Sequence, residues 1–136
     1  MKLEFKDVYK IGINKIDGQH RELFNIFNRL ERAIARQDSE EVIGDIFDFL
    51  TKYTKEHFDL EEQYMERYKY PEFKEHKDIH HEFLEEVEDM YQRYLNGYLK
   101  ITSQTQTTLF EWITKHIEQT DKRYGMYLIN KIKGKV

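Results

Sequence analysis

The chain has 136 residues, a net charge of −4 from 22 basic and 26 acidic residues, no cysteine, one proline and six glycines. That length suits one domain with a core of its own, and the missing cysteines exclude a disulfide framework, a thiolate metal site and a cysteine nucleophile. Acids and bases are interspersed and only Lys131, Lys133 and Lys135 cluster, so no nucleic-acid partner is expected.

No apolar run reaches membrane-spanning length, and MKLEFKDVYK carries no apolar signal segment. A cytoplasmic protein is expected. So few glycines and prolines point to long helices joined by short turns.

Residues 1–16 read as a partly apolar arm, and residues 17–133 as the bundle of a single domain spanning 1–136. Asp17 is placed to cap a first helix near 18–36, whose stripe is Leu23, Phe24, Phe27, Leu30 and Ile34. Ser39 caps a second, with Glu40 and Glu41 at its positive end and Ile43, Phe47, Leu50, Tyr53, Leu60 and Tyr64 as its stripe. It runs to about residue 67, before Pro71 breaks the pattern.

The third helix, about 72–95, carries Phe73, Ile79, Phe83, Val87, Met90 and Tyr94, and stops at Asn96-Gly97. Thr102 or Ser103 caps a fourth, with Leu109, Trp112, Ile113, Ile117, Tyr127 and Leu128 on its buried side. The fold class is all-α, an up-down-up-down four-helix bundle with an N-terminal arm.

Five of the six histidines fall on these apolar faces. His20 lies one turn before Phe24. His57 lies four residues after Tyr53. His76 and His80 sit between Phe73 and Phe83, and His116 follows Ile113 by three. His81 points elsewhere, about 100° around from His80.

One histidine on an apolar stripe is ordinarily a core residue bonded to a carbonyl or hydroxyl. Five in one small core cannot all be satisfied that way, and a metal supplies the common partner. Glu61, four after His57, is inward by the same spacing. Asp121 is harder to place. Five residues after His116 is about 140° off that face in a regular helix, so Asp121 reaches the site only from the flank, while Thr120 aligns better but is a poor ligand.

Five imidazoles and two carboxylates exceed the needs of one ion and suggest two, with iron suiting the mixed donor set. If both carboxylates and a water-derived oxygen bridge, three histidines close one iron and two leave the other with an open position. His76 and His80 form a chelating pair, with His116 the third. The open position invites O2, NO or azide. No inward Glu-x-x-His motif is present, unlike the carboxylate-rich di-iron bundles, so reversible ligand binding is expected over O–O activation.

At these residues the chain resembles the hemerythrins, especially the single-domain bacterial ones. The resemblance rests on GINKIDGQH at 12–20, HFDLEEQYM at 57–65, HKDIH at 76–80 and WITKHIEQTD at 112–121. It implies a non-haem di-iron cofactor, oxo- or hydroxo-bridged. His76, His80 and His116 would bind the full iron, His20 and His57 the open one, and Glu61 and Asp121 would bridge them. It also implies an O2 pocket at Ile113, with Phe58 and Trp112 as neighbours. The chain departs from the family pattern at Phe5, where the arm often has tryptophan. It departs again at Gly18, where a charged residue is common, and at Ile113, where leucine is usual.

The function expected is reversible O2 binding for transport, storage or delivery, by a monomer that is not an enzyme. An O2, redox or NO sensor acting through the same site, with a separate protein as its output, is the alternative. A di-iron oxidase or peroxidase is the third reading. The absence of an output segment after the fourth helix favours the first.

Overall fold

Four helical rods organise the chain in the computed structural model, which describes residues 4–133. Helix α1 is Asn14–Ala35, α2 is Glu40–Arg67 and α3 is Phe73–Leu95. The fourth rod is composite: α4, Ser103–Lys115, then a π-helical turn, His116–Asp121, then α5, Lys122–Lys133. No strand occurs among the described residues. Helix α1 packs on α2 and α4, and α2 packs on α3. Phe83 of α3 stacks on Trp112 of α4 at 3.9 Å and closes the ring. Short links make successive rods antiparallel, the four-helix bundle that the periodicity predicts.

The helix ends follow local chemistry. Ser39 accepts from the Val42 amide at the start of α2, and Thr102 and Thr105 form a reciprocal capping box at the start of α4. Gly97, at φ 79°, supplies the left-handed turn after α3.

The first helix corrects the expectation. It begins at Asn14, and Asp17 lies inside it. The Asp17 carboxylate accepts instead from the upstream amides of Ile11, at 2.8 Å, and Gly12, at 3.2 Å. Asp17 thus ties down the arm rather than capping the helix. The arm then passes so close to α5 that a Cβ on Gly125 would stand 2.7 Å from the Ile11 side chain and 3.0 Å from its carbonyl oxygen. Phe5, partly buried, meets the edge of Phe24 at 5.3 Å and packs against the core around it.

Two apolar clusters fill the interior. The larger holds Phe24, Phe27, Phe47, Phe58, Phe83 and Ile113. The smaller holds Ile11, Ile16, Met65, Tyr70, Tyr124 and Leu128. On every rod the inward histidines and carboxylates lie between residues of the two clusters. A polar layer is therefore sealed inside an apolar sandwich. No helix among the described residues is long and apolar enough to cross a membrane.

Candidate metal centre

Each rod contributes to the layer through helical spacing. Helix α1 brings His20, α2 brings His57 and Glu61 one turn apart, and α3 brings His76 and His80 one turn apart. The fourth rod brings His116 and Asp121 at the two ends of the π turn.

That turn resolves the awkward spacing. A π turn bonds residue i to i+5, so the fifth residue returns to the starting face. His116 Nε2 stands 3.1 Å from Asp121 Oδ1. The placement needs no reach from the flank.

All seven predicted donors are buried and converge. Asp121 is 3.3 Å from His20 Nε2 and 3.0 Å from His76 Nε2. Glu61 Oε1 is 3.1 Å from His57 Nε2 and 3.5 Å from His80 Nε2. Two sets of ligand atoms each fall within 4.8 Å of one another. One is His76, His80, His116, Glu61 and Asp121. The other is His20, His57, Glu61 and Asp121. The two carboxylates belong to both. His81 lies outside, 72% exposed and paired with Glu85.

The fit to metal ions is visible in what the donors leave unbonded. His57 Nε2, both nitrogens of His20 and His76, and both oxygens of Glu61 and Asp121 are buried with no hydrogen-bond partner. They approach one another closely, yet not along hydrogen-bonding directions. Each such orphan costs about 1–3 kcal/mol when nothing fills the gap. Cations placed between them would satisfy the carboxylate oxygens and one nitrogen of each imidazole at once.

The electrostatics agree. Burial pushes the His57 imidazole down to about 4, against the pull of Asp121. Burial, then His116 and His76, push His80 down. Neutral imidazoles present the lone pairs a metal needs. Burial and the neighbouring Asp121 raise Glu61. Burial would raise Asp121 as well, but His116, His20 and His76 outweigh it and hold that carboxylate well below its usual range.

Two positioning residues escape the sequence reading. Gln19 Oε1 accepts from His57 Nδ1 at 2.6 Å, and the Glu62 carboxylate accepts from His80 Nδ1 at 2.9 Å. Each contact places the proton on Nδ1 and frees Nε2 for the layer. Gln19 and Glu62 are each one residue off an inward donor, His20 and Glu61 respectively. That spacing makes them look like surface residues.

Of the expected pocket residues, Phe58 is buried, stacks on His80 at 3.7 Å and meets His57 at 5.9 Å. It borders both donor sets. Trp112 stacks on His116 at 4.8 Å. Ile113 is buried in the larger apolar cluster.

A family model described as the hemerythrin HHE cation binding domain matches residues 11–128, a span that contains all seven donors. The bacteriohemerythrin of Stenotrophomonas maltophilia is 33% identical over 123 residues, covering 90% of this chain and 79% of that protein. The bacteriohemerythrin of Clostridium acetobutylicum is 31% identical over 124 residues, covering 88% and 96%. A crystal structure of wild-type hemerythrin aligns with a TM-score of 0.89 at 26% identity, covering 94% of this chain and 98% of that one. A four-helix bundle with this buried donor layer, matched along nearly its whole length, places the chain in the hemerythrin family.

Proposed function

We propose that the chain binds O2 reversibly at two iron ions held in the layer, as a carrier, store or delivery protein. The observation that carries the reading is the pair of overlapping donor sets, three imidazoles against two, with Glu61 and Asp121 in both. His76, His80 and His116 would hold one ion, His20 and His57 the other, and the carboxylates would touch both. Such an iron pair supplies a seat for O2 on the ion with fewer imidazoles.

The chain's own residues make the seat suited to release rather than turnover. The apolar clusters on either side keep water, and the protons it carries, from the layer. Ile113 and Phe58 would wall the space beside the layer, with Trp112 behind His116. Similarity to proteins named bacteriohemerythrin supports the same reading. The cysteine-free composition and the mixed surface charge suit a monomer working in the cytoplasm.

The test is stoichiometric. Protein loaded anaerobically with ferrous iron should retain about two ions per chain. In an oxygen electrode it should take up one O2 per iron pair and return it under argon. Uptake without return, with peroxide or water as product, would replace the carrier reading with an oxidase.

A further inference from the structure

Beside the donor layer, on the side of the smaller apolar cluster, three tyrosines lie edge to edge. The Tyr124 ring meets His76 at 5.7 Å and Tyr70 at 5.7 Å. Tyr70 meets His76 at 6.4 Å and Tyr127 at 5.1 Å. The rings make a continuous aromatic contact from a donor of the layer to the partly buried Tyr127.

The three hydroxyls differ in what they face. Tyr124 is fully buried, and its hydroxyl has no hydrogen-bond partner. The Tyr127 hydroxyl donates to the carbonyl oxygens of Tyr68 and Lys69, each at 2.9 Å. Carbonyls accept a hydrogen bond but do not take the proton. The Tyr70 hydroxyl donates to the Glu72 carboxylate at 2.9 Å. Glu72 is solvent-exposed and also meets Arg123 at 3.4 Å.

A phenol that loses an electron becomes a very strong acid, so its oxidation needs a base already in place. Of the three, only Tyr70 has one, and that base opens to water. Its ring is nearly buried, and it touches a donor of the metal layer.

We infer that Tyr70 is a one-electron redox site, giving an electron to the metal layer and its proton to Glu72 when the layer is exposed to hydrogen peroxide. The inference rests on the iron-bearing reading above. Two electrons split peroxide into two hydroxides, which leave the layer and become two waters with two protons taken up in solvent. Tyr70 releases one electron across its contacts with His76 and Tyr124, and one proton through Glu72 to solvent. A soluble reductant of the ascorbate class supplies the second electron and proton. It then returns one of each to Tyr70. Oxidising equivalents formed at the layer are thus led away from the imidazoles that hold it.

The test is freeze-quench electron paramagnetic resonance on the iron-loaded full chain mixed with hydrogen peroxide, with iron content measured beforehand. The wild type should give a tyrosyl signal that changes when the tyrosine rings are deuterated. Y70F, which keeps the ring and the fold, should hold its iron and lose the signal. E72Q keeps an acceptor for the hydrogen bond but not for the proton. It should form the radical roughly a hundredfold more slowly, the low end of what a placed proton acceptor contributes. Y98F, which alters a tyrosine 83% exposed at the surface, should change nothing. An undiminished signal in Y70F, equal rates in E72Q, or a signal sensitive only to tryptophan deuteration would overturn the inference and leave the O2 reading standing. A chain that holds no iron would overturn both.

Discussion

The imidazoles of His20, His76 and His116 all stand within 3.3 Å of the Asp121 carboxylate, while Glu61 faces His57 and His80. The two acids thus divide the imidazoles between them yet belong to both donor sets. At this scale the sets make different predictions for different histidines. His20 belongs only to the two-imidazole set. H20A should therefore lower bound iron from about two ions to about one per chain, read by metal analysis after removal of loosely held iron. H81A, at the exposed neighbour of His80, should keep the full complement. Equal losses in the two variants would mean the sets do not act as the geometry implies.

At the scale of elements, the π turn is what lets one helix supply two donors five residues apart. The double variant T120D/D121T separates this from the regular-helix expectation. A regular helix would put residue 120 on the face of His116 and improve the site. The π turn keeps residue 121 there, so the variant should lose most of its iron while circular dichroism shows the bundle intact.

This is also where sequence reading ran out. The apolar stripes of Phe24, Phe47, Phe83 and Leu109 showed the four rods, and the same periodicity aimed His20, His57, Glu61, His76, His80 and His116 inward. Asp121 could not be placed by periodicity, because a π turn is a backbone hydrogen-bonding pattern with no residue of its own to announce it. Asp17 misled for a related reason. It has the character of a cap, but the amides it satisfies belong to the arm before the helix. Gln19 and Glu62 find their histidines across helix pairs, and a contact between helices leaves no mark on the spacing within one. Gly18, the departure at the start of α1, is exposed, and a Cβ there would meet no atom within 4 Å. G18A should raise stability by about 0.5–1 kcal/mol, measured by urea unfolding, because it removes a flexible residue from a helix without a clash.

At the scale of the whole molecule, the donor layer sits between two apolar clusters and connects all four rods. The clusters provide hydrophobic stabilisation. The layer, with its unpartnered nitrogens and oxygens, opposes it until cations enter. Metal binding should therefore be felt as global stability. At free iron about a thousand times the dissociation constant, the gain is roughly 4 kcal/mol, a rise of roughly 10–20 °C in Tm for a chain of this size. Scanning calorimetry of the protein with and without iron would show it, and an unchanged Tm would mean the layer tolerates its orphaned groups by other means.

The most direct test of the account is an iron-edge anomalous difference map from crystals of the reduced, iron-loaded protein. The account predicts two peaks within the layer. One lies against His76, His80 and His116, the other lies against His20 and His57, and both lie within bonding distance of Glu61 and Asp121. A single peak, or two peaks that do not share the carboxylates, would contradict it.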